Sequence, residues 1–172
     1  MNPTQQVQFE ALLKEHQDRI YRICRAYLYD QSLVEDLYQD VLLKLWQQMA
    51  RFRGESQWTT WMYRIAVNTA ITYNRRRKKD RQVFASQEMG VLPEPISEGS
   101  TDAWEKERLL QQLHHSIQQL PEGDRLLVSL QLEGMSYQQI SDIMGLTVNH
   151  VGVKLNRIKK KLSKLMQETY ES

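Results

Sequence analysis

The sequence predicts an all-α fold of two small helical domains joined by a flexible acidic linker. Three observations predict it. Apolar residues recur at helical spacing through residues 5–79 and again through 103–170, and no stretch alternates convincingly with the period of a strand. Glycine and proline are sparse in both stretches. Between them, residues 80–102 hold Gly90, Pro93, Pro95 and Gly99, with Asp80, Glu88, Glu94, Glu98 and Asp102 set against Arg81. That composition suits a tether rather than a packed core.

Each element can be justified in order. The first helix is expected from about Gln5 to Tyr29, with Phe9, Leu12, Leu13, Ile20, Ile23 and Tyr27 as its buried stripe. The second begins near Ser32 and reaches about Ala50. It buries Val34, Leu37, Val41, Leu45 and Met49, with Leu42 and Trp46 beside them. The segment RFRGES at 51–56 contains the only glycine of the N-terminal half and reads as a loop. The third helix covers roughly 58–78 and runs into five consecutive basic residues, Arg75 to Lys79. After the linker, a helix starts with Ser100, Thr101 or Asp102 as its cap and acids in its first turn. Pro121 interrupts it and can open the next, which runs to about Glu133. Tyr137–Met144 makes a short helix with Ser136 as cap and Ile140 and Ile143 inward. Gly145 can take the left-handed conformation that closes a helix and turns the chain. Thr147 caps the last helix, whose Val148, Val151, Leu155, Ile158 and Leu162 should pack inward.

Composition excludes several classes. No apolar run approaches the ~20 residues that cross a bilayer. The start, MNPTQQVQFEALLKEHQ, lacks the basic-then-apolar pattern of a signal peptide. Cys24 is the sole cysteine, so no disulfide framework is expected and a reducing cytoplasm is the expected location. Within YRICRAYL, Cys24 reads as a small buried apolar residue. No His/Cys spacing suits a metal, and His114 and His115 are expected at the surface. The net charge of +2 conceals segregation. Arg75–Lys79 form one basic block and Lys154, Arg157, Lys159, Lys160, Lys161 and Lys164 another, with no acid between Ile143 and Gln167. Two separated basic blocks point to a polyanion met at two places.

The second block sits in GMSYQQISDIMGLTVNHVGVKLNRIKKKL, which has the layout of a helix-turn-helix. Polar residues open its second helix and cations follow, as major-groove reading requires: early residues reach base edges and later cations hold phosphates. The first block follows GESQWTTWMYRIAVNTAITYN. Aromatic rings beside hydroxyls, an amide and cations suit unpaired bases, which stack on rings while cations track the backbone. On the second helix, Asp36, Gln39, Asp40 and Gln47 surround Leu43 on the polar side, the pattern of a protein docking spot.

These residues carry a family resemblance. VEDLYQDVLLKLWQQMARFRGESQWTTWMYRIAVNTAITYNRRRKK resembles the second region of bacterial sigma factors, and LPEGDRLLVSLQLEGMSYQQISDIMGLTVNHVGVKLNRIKKKL resembles their fourth. The length and the missing third domain resemble the extracytoplasmic-function group of the sigma-70 family. The resemblance implies region 2 at 1–79, a linker at 80–102 and region 4 at 103–172. It implies a transcription initiation factor, not an enzyme, that uses no cofactor and no metal. Its implied partners are core RNA polymerase through the beta and beta-prime subunits, promoter DNA, and an anti-sigma factor of a kind often bound to the membrane. By similarity, Asp36, Gln39, Asp40 and Leu43 dock on the polymerase. Phe52, Arg53, Gly54, Trp58, Thr59, Trp61, Arg64, Asn68, Arg75 and Arg76 capture and support the non-template strand of the minus-ten element. Thr147, Asn149, His150, Val153, Lys154, Arg157 and Lys161 read the minus-thirty-five element. Two positions depart from the family pattern: the recognition helix reads HVGVKL, and a common glutamate in the preceding helix is Gln139. A helix-turn-helix repressor would need a dimer interface, and the linker and docking face argue against it. A nuclease would need a carboxylate cluster, and none is evident.

Overall fold

A computed structural model describes residues 3–28, 30–52, 57–81 and 101–171. Among them lie seven helices: α1 (Pro3–Tyr27), α2 (Gln31–Met49), α3 (Trp58–Arg81), α4 (Thr101–Gln118), α5 (Glu122–Leu132), α6 (Tyr137–Met144) and α7 (Val148–Glu171). The central part of the expected linker, 82–100, falls outside the described residues, as do Tyr29, Arg53, Gly54 and Ser100. No described helix is long and apolar enough to cross a membrane.

The N-terminal half is a three-helix packing. Leu12, Ile20, Ile23 and Tyr27 of α1 are buried, and Cys24 is buried among them. Burial pushes the Cys24 thiol up to about 12, which keeps it inert. Helix α2 starts on Asp30, whose carboxylate accepts from the Ser32 N–H at 2.9 Å and the Ser32 hydroxyl at 2.7 Å. The Ser32 hydroxyl above all, with the nearby amides, holds the Asp30 carboxyl below its ordinary range. The five residues expected to line the buried face of α2 all do so. Helix α3 is buried on more than one side: Met62, Tyr63, Ile65, Ala66, Val67 and Ala70 are all enclosed. Each large apolar side chain buried this way contributes about 1.5–3 kcal/mol.

In the C-terminal half the caps form largely as expected. The Ser136 hydroxyl accepts from the Gln139 N–H at 3.2 Å while the Gln139 side chain accepts from the Ser136 N–H at 2.9 Å. Gln139, the departure from the family pattern, therefore completes a capping box. Gly145 closes α6 at φ 68°. The Thr147 hydroxyl accepts from the His150 N–H at 3.2 Å and starts α7. Two expectations need correction. Pro121 precedes α5 rather than opening it: its extended ψ of 149° makes it the cap residue, and its carbonyl accepts from the Asp124 and Arg125 N–H groups. Val148 is 40% exposed, not inward. It sits one residue past the cap, ahead of the packed stripe, which begins at Val151 and continues through Leu155, Ile158 and Leu162.

The two halves also pack on each other, α5 against α1 and α6 against α3. Periodicity reports only that a face is apolar, so the sequence does not foretell which helices meet across the halves.

Candidate nucleic-acid interface

The residues expected to read a duplex lie on the outward side of α7. Packing of Val151, Leu155 and Ile158 fixes the helix rotation, so Asn149, His150, Val153 and Arg157 face solvent together with Thr147 and Lys161. Lys154 is half-buried, and its ammonium pairs with Asp124 at 3.0 Å. Of the expected set, it alone is held by a carboxylate at that distance among the described residues. Gly152 lies on the flank, where a Cβ would meet the ring of Tyr137 at 3.4 Å.

The other surface lies at the start of α3. Phe52, just past α2, packs its ring edge-on against Trp58 with centroids 4.4 Å apart, and against Trp61 at 5.1 Å. Trp58 and Trp61 stack at 4.8 Å with 23° between their planes. All three are half-buried, so the cluster is anchored in the core and presents ring area outward. Thr59 is half-buried, whereas Thr60 is buried. Arg64 and Asn68 follow along an exposed line of α3 that continues to Arg75 and Arg76. Arg53 and Gly54 lie outside the described residues.

On α2, Asp36, Gln39 and Asp40 are exposed and Leu43 is 54% exposed. Burial, then the charges of Asp36 and Asp40, raise the Tyr73 phenol above its ordinary value, which places that acidic strip beside the middle of α3. The acidic strip, the aromatic entrance and the outward polar face thus lie on three different helices, α2, the start of α3 and α7.

One residue escaped that reading. Arg125 is buried, and its guanidinium donates to the carbonyls of Ala26, Tyr27 and Leu120 at 3.0 Å each and of Gln118 at 3.4 Å. The only signal was a lone cation at the head of the apolar run in RLLVSL.

The model of Sigma-70 region 2 matches residues 12–80, and that of Sigma-70 region 4 matches 110–162. The RNA polymerase sigma-H factor of Pseudomonas aeruginosa is 30% identical over 166 residues, covering 92% of this chain and 86% of that protein. The extracytoplasmic-function sigma-E factor of Escherichia coli K12 is 31% identical over 167 residues, with the same coverage. A solved complex of the Bartonella quintana sigma factor RpoE with the anti-sigma factor NepR aligns with a TM-score of 0.77 at 22% identity, covering 93% of this chain and 97% of that one. CnrH, solved with the cytosolic domain of CnrY, aligns at 0.65 and 21% identity, covering 95% and 90%. The two likenesses to solved structures show the fold.

Proposed function

This chain belongs to the extracytoplasmic-function sigma factors of the sigma-70 family and is a transcription initiation factor that directs RNA polymerase to promoters; we propose the following residue roles in that task. Residues 1–79 act as region 2, 103–172 as region 4, and 80–102 as the tether. Asp36, Gln39, Asp40 and Leu43 dock on core polymerase in the cytoplasm, where both promoter and enzyme are found. Thr147, Asn149, His150 and Val153 meet base edges of the minus-thirty-five duplex, while Lys154, Arg157 and Lys161 hold its phosphates. Phe52, Trp58 and Trp61, with Arg53, Gly54 and Thr59, receive an unstacked base of the minus-ten element. Arg64, Asn68, Arg75 and Arg76 support the strand that carries it.

The observation that carries this reading is the aromatic cluster at the entrance of α3. Unstacking a base costs a few kcal/mol. Stacking on rings, worth about 1–3 kcal/mol per base, offsets that cost once phosphate contacts are added. No external fuel is then needed for strand capture. Regulation by an anti-sigma factor is the accompanying proposal, supported by the Bartonella quintana relative having been solved with one.

The test is transcription in vitro with purified core polymerase on fragments of the source genome. Added protein is expected to produce initiation at a small set of sites sharing two spaced elements. Absence of site-selective transcripts, together with failure to retain core polymerase in a pull-down, would contradict the reading.

A further inference from the structure

Beside α1, helices α4 and α5 leave a cavity of about 260 Å³ that opens to solvent. Its walls are mostly apolar, built from Ala26 of α1, Ile117 of α4, and Val128 and Leu132 of α5. Val128 is buried and Ile117 is half-buried. Leu132 is 68% exposed, so it belongs to the rim. The cavity shares no residue with the surfaces proposed above for polymerase and DNA.

Its polar border is cationic. Arg22, Arg25, Arg125 and His114 stand against one carboxylate, Glu133. Two of the arginines are committed. Arg22 Nη2 donates to Glu133 at 2.8 Å, which also engages the lone acid. Arg125 donates to the carbonyls of Ala26, Tyr27 and Leu120. Arg25 and His114 are exposed and, among the described residues, pair with no carboxylate. The arrangement is an aliphatic floor under two unpaired donors, one of them a fixed positive charge.

That pairing of surfaces selects a ligand class. A carboxylate accepts from a guanidinium and from an imidazole N–H alike. An aliphatic chain covers apolar walls that water solvates poorly. No Phe, Tyr or Trp lines the cavity, so a nucleobase would find no such ring to stack on. Size sets the length. A dry cavity of about 150 Å³ holds benzene, so one of about 260 Å³ holds on the order of ten non-hydrogen atoms. A carboxylate on a chain of about eight carbons has that many.

We propose that this cavity is a binding site for a medium-chain aliphatic carboxylate, with the chain against Ala26, Ile117, Val128 and Leu132 and the carboxylate held by Arg25 and His114. Bound there, the acid touches α1 on one side and α4 and α5 on the other. Its occupancy can be measured on the chain alone, without polymerase or promoter.

The test titrates octanoate into the full chain by calorimetry, with amide chemical shifts followed by NMR. Saturable binding is expected, with a dissociation constant on the order of 1 mM or tighter. Shifts should centre on Arg25, Ala26, His114, Ile117, Val128 and Leu132. Each methylene removed should weaken binding about fourfold, so hexanoate binds about 15-fold more weakly. Octylammonium, with the same chain and the opposite charge, should bind at least about fivefold more weakly than octanoate. Arg25→Ala and His114→Ala should each cost about fivefold in octanoate affinity, and Arg25→Lys, which keeps the charge, should cost less. Both positions are exposed, so thermal midpoints should stay near that of the wild type. Octylammonium binding as tightly as octanoate would overturn the site. So would unchanged octanoate affinity in both alanine variants, or shifts centred on exposed Trp104 and Leu110 instead of the cavity. The absence of any saturable shift would overturn it as well.

Discussion

Helices α3 and α7 are both 24 residues long, and each starts beside hydroxyls and contains a basic stretch, yet they are built on opposite plans. Helix α7 has two clean faces, with Val151, Leu155, Ile158 and Leu162 inside and Asn149, His150, Val153 and Arg157 outside. Helix α3 is enclosed through its middle, and its DNA-facing candidates lie at the aromatic entrance, along the narrow line of Arg64 and Asn68, and at the basic end. The difference matches what the two proposed targets demand. A duplex groove accepts the side of a helix, so a reader can devote one whole face to it. An unpaired base needs rings on more than one side, which a helix end and the loop before it supply better than a flat face.

That contrast can be broken. Leu155→Ala should be the costliest change, because a fully buried leucine fixes the rotation of the reading face. A loss of about 2–5 kcal/mol is expected in urea denaturation, along with loss of duplex binding. A loss below about 1 kcal/mol would mean that α7 is not held by the stripe described. At the small end, Gly152→Ala sharpens the same point. The new Cβ would sit in ordinary contact with Tyr137 at 3.4 Å, so a gain of up to about 1 kcal/mol in stability is expected with unchanged minus-thirty-five binding. Greater stability with weaker DNA binding would show instead that the duplex backbone approaches this glycine.

Legibility in the sequence follows the same contrast. The helix-turn-helix was readable almost residue by residue because its signals are local: a cap at Ser136, a turn at Gly145, a cap at Thr147 and a 3.6-residue stripe. The buried face of α2 was readable for the same reason. The aromatic cluster was only half readable. The sequence marks the rings as suited to unpaired bases, whereas the fold also anchors Trp58 and Trp61 in the core, with the ring of Phe52 packed against both. The burial of Tyr63 could not be told from spacing, because α3 meets helices on several sides and shows no single apolar stripe. The packing of the two halves was invisible, since Arg125 reaches the Ala26 and Tyr27 carbonyls and Arg22 reaches Glu133 across roughly a hundred residues of chain, and the hydrogen-bonding rule that pairs a buried guanidinium with carbonyls does not say which carbonyls.

The central claim is that duplex recognition and strand capture are assigned to separate surfaces. Permanganate footprinting of promoter complexes formed with core polymerase and Trp58→Ala protein tests it most directly. Promoter-selective binding should persist near the wild-type level while reactivity of unpaired thymines falls, reflecting ~1–3 kcal/mol of lost stacking, or roughly 5- to 150-fold in the opening equilibrium. Undiminished thymine reactivity, or equal loss of promoter binding and opening, would contradict the account.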